Sequence, residues 1–283
     1  MSTKITADLI KDLRERTGVG MAKCKEALEQ VGGDIEKAID NLRKAGMASA
    51  VKKEGRETNE GLIGTAEDNG AIAVAEINAE TDFVTQNDRF KQFLKDICHE
   101  VLKIKPADLD SLLKHKSHVD PSLTIDELRA VIVQSLGENI KISRFALFPK
   151  KPHTSIASYS HMGGKIVTVV EIEGATGLEN LAKDIGMHVA AEAPDYLDPS
   201  EIPSDVKQRE EEIGRSQITG KPANIVDKII EGKMNAFYDQ VCLTRQKYIK
   251  DNAISIAQLL EAEGKKIQKP LRITKYLRWQ VGA

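Results

Sequence analysis

The side chains best equipped for chemistry are scattered through this 283-residue chain. Cys24, Cys98 and Cys242 are odd in number and far apart, so they form neither a disulfide framework nor a CxxC zinc pattern. The histidines are His99, His115, His118, His153, His161 and His188, and none stands at metal-ligand spacing from a cysteine or carboxylate on one helix face. His115 and His118 lie in a lysine-rich stretch (KHKSH) that reads as solvated surface. Cys98 and His99 are adjacent on a predicted helix and therefore point apart. There is no GxxxxGKS loop, no GxGxxG after a strand, no GxSxG and no HExxH. The expectation is a binding protein rather than an enzyme, with no metal or cofactor of its own.

The segment that stands out is Glu80-Thr81-Asp82-Phe83-Val84, a large aromatic directly after an acid in a predicted loop. Two readings fit it. Phe83 can tuck back under a sheet, with Asp82 as a turn or cap residue. Or the loop is a wedge, presenting an aromatic to a partner's groove, since one aromatic buries a large area at small entropic cost.

Composition narrows the field. Lys and Arg number 41 against 43 Asp and Glu, for a formal net charge of −2, with 41% hydrophobic and 30% charged residues. That balance suits a globular protein of about two domains at roughly 100–200 residues each, and disfavours a dedicated duplex-binding protein. No apolar run approaches the roughly 18 residues of a membrane helix. The start, MSTKITADLI, lacks an apolar secretory core. With this cysteine usage, the expected compartment is the reducing cytoplasm.

The elements that would position the 80–84 segment read as follows. Residues 1–55 carry three short helices: one capped by Thr6 and ended by Thr17-Gly18-Val19-Gly20, one from Met21, and one capped by Asp34 and closed by Gly46. A polar linker, 51–59, marks a boundary. Strands flank the turn Asp68-Asn69-Gly70. Asn87 caps a helix with Phe90, Phe93, Leu94, Ile97, Val101 and Leu102 on one side. Thr124 and Glu127 form a capping-box pair that opens a helix stopped by Gly137, and a strand follows from Ile140. The plan then repeats: a hairpin turning at Met162-Gly163-Gly164, and a helix from Leu178. Residues 71–77 align with 166–172, which indicates a duplicated β-β-α unit. The first copy carries extra residues between strand and helix, and these fall at 78–86. A functional loop grafted onto a duplicated scaffold would look like this.

After Pro194 a charged helix from Ser204, a turn at Gly220-Lys221-Pro222 and a longer helix over 223–241 predict an antiparallel hairpin inserted in the second copy. Its second helix has more apolar face than the first can cover. We therefore expect Ile229, Met234 or Phe237 to pack on another subunit, on a partner or on the core. A helix around 254–262 and an alternating strand close the chain. The whole is read as α+β: 1–55 a three-helix partner-docking domain, 56–150 a first core subdomain, 151–197 with 242–283 a second, related one, and 198–241 the inserted hairpin.

LRERTGVGMAKCKEAL (13–28) followed by EINAETDFV (76–84) resembles the two signature segments of the bacterial elongation factor Ts family, and GENIKISR (137–144) and MHVAAEAP (187–194) resemble further family segments. The resemblance implies a ubiquitin-associated-like three-helix domain, two related antiparallel β/α subdomains and a helical-hairpin dimerisation module. It implies guanine-nucleotide exchange on elongation factor Tu, in the elongation step of translation. Thr81, Asp82, Phe83 and Val84 would disturb the partner's Mg²⁺ and phosphate site. Arg14, Met21 and Lys25, Leu136-Gly137 and His161 match family positions that contact the partner. From the residues alone, Met21 also fits a bundle core, Gly137 a helix stop, and Arg14, Lys25 and His161 solvated surface. Some relatives carry a further C-terminal helix; this sequence ends RWQVGA, so contacts made by that helix are expected to be missing. Two other readings are an adaptor that binds without speeding nucleotide release, and a nucleic-acid protein using the basic tail (Lys265, Lys266, Lys269, Arg272, Lys275 and Arg278). No membrane association is expected, and the hairpin makes a homodimer a candidate assembly.

Overall fold

A computed structural model describes residues 5–218 and 222–283. Backbone contacts divide the chain into two units. One comprises the residues up to Pro149 with Gln280–Ala283, the other Lys150–Trp279. The architecture is α+β, with small sheets and segregated helices.

The first unit opens with α1 (Ala7–Thr17), α2 (Met21–Gln30) and α3 (Ile35–Lys53). The Thr6 hydroxyl accepts from the Leu9 amide, and the Asp34 carboxylate accepts from the Lys37 amide. Leu13, Val19, Cys24, Leu28, Ile39 and Leu42 make a separate core for the three helices. Gly46 does not end the third helix as expected. It is buried inside α3, where a Cβ would lie 2.7 Å from Gln134 Oε1 and 3.4 Å from the Ala130 carbonyl. Both residues belong to α7 (Ile125–Leu136). The missing side chain permits close approach of two helices, and tertiary packing overrides the poor helix propensity of glycine. The predicted linker loses its first three residues to this helix.

β1 (Glu60–Glu67) and β2 (Ala71–Ala79) form the expected hairpin. Asp68 Oδ1 accepts from the Gly70 and Ala71 amides at 2.7 and 2.8 Å. β3 (Ile140–Pro149) pairs antiparallel with β2, giving the order β1-β2-β3. α5 (Asp88–Ile104) lays Phe90, Phe93, Leu94, Ile97 and Val101 into a core with the alternate residues of β2. A short helix, α4 (Asp82–Gln86), precedes it, where the sequence suggested a loop. α6 (Leu109–Lys114) was not anticipated. Its capping box is Asp108 with Ser111, a pairing less familiar than the Thr124–Glu127 box that opens α7 as expected.

The second unit repeats the plan. β4 (Thr154–His161) and β5 (Ile166–Glu173) form a hairpin, α8 (Glu179–Glu192) packs against both strands, and β8 (Arg272–Gln280) completes the order β4-β5-β8. Glu76 and Glu171, aligned by the duplication, are both buried, each with a basic partner. Arg144 Nε lies 2.7 Å from Glu76, and Lys151 Nζ lies 3.1 Å from Glu171. Between β5 and α8 there is no counterpart of α4.

α9 (Ser204–Ser216) and α10 (Ala223–Val241) are the inserted hairpin. The chain leaves at Asp195–Leu197 and returns beside itself at 241–244, with Leu243 donating to the Tyr196 carbonyl at 2.9 Å. Arg215 pairs with Asp227 at 3.0 Å across the two helices. Ile230 is buried beside Gly214, whereas Ile229, Met234 and Phe237 are half-buried and Ile213 and Ile225 exposed. Of the expected turn, Gly220 and Lys221 lie outside the described residues. A small hairpin, β6 (Lys247–Tyr248) with β7 (Asp251–Ser255), was also unforeseen, and α11 (Ile256–Ile267) runs longer than expected.

Candidate partner-binding site

α4 is built from both ends. Thr81 takes extended backbone and caps it, its Oγ1 3.4 Å from the Val84 amide, while Thr85 Oγ1 donates to the Asp82 carbonyl at 2.7 Å. Thr85 is buried and Val84 packs on the core, so the turn has one apolar side. Asp82 and Phe83 lie on the other side. Phe83 is 84% exposed, which excludes the reading in which it tucks under the sheet.

The next chain segment in space is the end of α7. Gly137 stops that helix in the left-handed region, at φ 84°, and the following residue turns back toward α4. Glu138 accepts from the Thr81 amide at 3.0 Å and from Thr81 Oγ1 at 2.6 Å. Glu80 in return accepts from the Asn139 amide at 2.6 Å, and Arg56 Nη1 sits 3.3 Å from the same oxygen. The buried Asn139 side chain donates to the carbonyls of Glu54 and Arg56 at 3.3 and 2.9 Å. Leu136 is half-buried against the core, and Gly137 is exposed.

The three-helix end is tied to the same region. Arg89, in the first turn of α5, donates from Nη1 to the Thr17 carbonyl at 2.9 Å and to Ser135 Oγ at 3.1 Å. Ser135 Oγ donates to the Gly18 carbonyl at 3.1 Å. Gly18 has φ 68°, and a Cβ there would collide with the Arg89 guanidinium. The α1–α2 turn is thereby fastened to the α7 end, next to Gly137 and Glu138. Met21, the first residue of α2, is 48% exposed and is not a bundle-core residue. Lys25 lies one turn on, exposed, with Nζ 3.7 Å from Glu29, and Arg14 is exposed in the last turn of α1.

His161 ends β4 in the second unit, exposed, with Nδ1 3.2 Å from the Tyr159 hydroxyl. Within the first unit, Ser135 and Glu138, on either side of Leu136-Gly137, bond to the turn that precedes Met21 and to Thr81 respectively. Sequence reasoning missed Glu138, Arg89 and Ser135. For Glu138 the one available signal was its place directly after a helix-stopping glycine. Arg89 carried no signal, because a charged residue in a helix is ordinary surface until a partner far along the chain is known.

The thiols are not nucleophiles in waiting. Burial pushes Cys98 up to about 12 and Cys242 up to about 11, and Cys24 is also raised by burial. His118 is not simply solvated: its Nδ1 lies 2.6 Å from Glu100, a buried carboxylate of α5. Burial acts to raise the Glu100 pKa. The hydrogen bonds from the His118 ring, Ser117 and the His118 amide outweigh it, and the group is held below its ordinary 4.5. Among the described residues, no group of three or more His, Cys, Asp or Glu could hold a metal ion. The basic stretch near the C-terminus meets acids: Lys265 with Glu261 at 2.6 Å, Lys266 with Glu263 at 2.7 Å and Arg272 with Glu173 at 2.6 Å. No described helix is long and apolar enough to cross a membrane.

The first unit of this duplicated α+β fold thus carries, on a helix with no counterpart in the second, the one exposed large aromatic among the described residues. Residues 80–283 match the family model described as Elongation factor TS. A protein named elongation factor Ts from Protochlamydia amoebophila is 59% identical over 278 residues, covering 98% of this chain and 99% of that protein. Proteins of the same name from Chlamydia caviae and Chlamydia muridarum are 44% identical over 281 residues and 43% over 276, covering 99% and 98% of this chain and 100% and 98% of theirs. The chain belongs to the elongation factor Ts family of translation elongation factors.

Proposed function

We propose that this chain is a guanine-nucleotide exchange factor for elongation factor Tu, acting in the cytoplasm and making or breaking no covalent bond. The observation that carries this is Phe83, 84% exposed on a one-turn helix that Thr81 caps and Glu138 ties down through Thr81. Leaving a Phe side chain in water forgoes about 1.5–3 kcal/mol of burial, which a partner's groove would recover. Asp82 beside it brings a carboxylate to the same point. Inserted near the GTPase's nucleotide site, the pair would disturb the Mg²⁺ and the backbone donors that hold the diphosphate. Arg14, Met21 and Lys25 would dock the three-helix end on the same partner, with Leu136 and Gly137 between them and α4. His161 would supply a contact from the second unit.

Such a factor works by binding the nucleotide-free GTPase better than the nucleotide-bound form. The coupling is reciprocal, so incoming nucleotide expels the factor. Release of labelled GDP from elongation factor Tu, measured with and without this protein, tests the reading. Acceleration is expected; binding without acceleration would instead make the protein an adaptor. Alongside it we propose the helical hairpin as the homodimerisation module, on the strength of Ile213 and Ile225, exposed on the two facing helices. A strict monomer in sedimentation at micromolar concentration would remove it.

A further inference from the structure

α4 has five residues, too few to hold a helix by its own hydrogen bonds. The capping bond from Val84 to Thr81 Oγ1 is long, at 3.4 Å. The short bonds on Thr81 come from outside the helix, from Glu138, which takes both its amide and its hydroxyl, at 3.0 and 2.6 Å. The reverse bond, Glu80 to the Asn139 amide at 2.6 Å, makes the clamp reciprocal: each segment's carboxylate binds the next residue's N–H on the other. These are charge-assisted bonds, stronger than neutral ones and directional. They set where α4 begins and therefore which way residues 82 and 83 face. Gly137, at φ 84°, supplies the reversal that brings Glu138 to Thr81.

We propose that Glu138 is a positioning residue for nucleotide exchange: it fixes the N-terminus of α4 through Thr81 and so holds Phe83 in its outward, partner-facing orientation. The inference rests on the exchange reading and deepens it. Leu136-Gly137 then serves the site by placing Glu138, whether or not it also touches the partner. Glu138 itself touches neither nucleotide nor the GTPase's ion in this mechanism.

The test uses the full chain in four forms: the unaltered protein, Glu138→Ala, Phe83→Ala and the double variant, with Glu138→Gln as a milder fifth. Two measurements are made. Amide hydrogen exchange reports the clamp without any partner: in Glu138→Ala, the amides of Thr81 and Val84 should exchange about tenfold faster or more, while those in the middle of α5 keep their protection. Stimulated GDP release, resolved into kcat and KM for the GTPase complex, reports the consequence. Glu138→Ala should lower kcat by about tenfold. It should cost little further in the Phe83→Ala background, because two residues acting through one feature are not additive. Glu138→Gln keeps one acceptor for Thr81 and should recover part of the rate. Unchanged protection of Thr81 and Val84, or losses from Glu138→Ala and Phe83→Ala that multiply, would overturn the proposal. If Phe83→Ala itself leaves exchange untouched, the exchange role of Phe83 falls, and the hydrogen-exchange result still decides whether Glu138 holds the helix.

Discussion

Phe83 sits where a folding core has no use for it. Its neighbours Val84 and Thr85 face inward, and it alone of the three faces water. A buried Phe replaced by Ala costs about 3–5 kcal/mol of stability. At an exposed position the loss should stay within about 0.5 kcal/mol, whereas an interface anchor of this kind can forfeit 2 kcal/mol or more of binding. Phe83→Ala should therefore leave the unfolding temperature almost unchanged and sharply slow GDP release from elongation factor Tu. Thermal unfolding and exchange kinetics on the same preparation check both halves. A large fall in unfolding temperature with near-normal exchange would return Phe83 to a structural role.

At the scale of elements, close approach between helix and strand or helix and helix depends on small residues at a few contacts. Gly64 of β1 lies under α5, and a Cβ there would come within 2.7 Å of Leu94 Cγ and 3.1 Å of Cys98 Sγ. Leu94 Cγ is a branch point in a packed core and has little room to retreat. Gly64→Val should force α5 off the sheet and destabilise the protein by about 1–3 kcal/mol, the range for overpacked cores, despite the better strand propensity of valine. Denaturant unfolding would show a lower midpoint with an unchanged slope. An unaltered midpoint would mean that α5 is free to shift. The same logic governs Gly46, where α3 meets α7.

At the scale of the whole molecule, two consequences follow. The first concerns truncation. Ala50 belongs to the core cluster of the first unit, and Gly46 faces α7, so the third helix is shared between the three-helix core and the sheet-bearing core. Deleting residues 1–50 should weaken binding to elongation factor Tu and also lower the unfolding temperature of the remainder, by baring Ala130 and Gln134. Equal affinity for the GTPase in the truncated chain would remove the docking role of Arg14, Met21 and Lys25.

The second consequence concerns pH. His188 is buried in the second unit. Its Nδ1 accepts from the Ile249 amide at 3.3 Å, which leaves Nε2–H to donate to Gln246 Oε1 at 3.0 Å. Burial pulls its pKa below the ordinary 6.5, so the fold favours the neutral ring. The unfolded chain therefore binds the proton first, and the stability that His188 contributes above pH 6.5 is lost as pH falls below it. Glu100 is depressed as well, with its ordinary value at 4.5; its contribution is present above that pH and is lost as pH falls further. Unfolding temperature should decline in two stages on acidification. His188→Gln should abolish the upper stage and leave the lower one; persistence of the upper stage in that variant would assign it to another group.

Much of the fold was legible because the chemistry that starts and stops elements acts over three or four residues. Thr6, Asp34, Asn87 and the Thr124–Glu127 pair cap the helices they were expected to cap, Gly137 stops α7, and Asp68-Asn69-Gly70 turns the first hairpin. The duplication was legible too, since alternation along a strand and periodicity along a helix survive in the residues themselves. The sequence by itself thus determined the order of the longer elements, the repeated β-β-α plan and the odd placement of Phe83, but not α4, α6 or the β6–β7 hairpin. Only the tertiary structure decided that Gly46 is a contact rather than a stop, that residues 82–86 form a helix, that Phe83 points outward, and that Glu138 holds Thr81 across a separation of 57 residues. The reason is physical. A cap or a turn finds its partner within one turn of chain, whereas exposure and long-range hydrogen bonds depend on which distant segment packs alongside.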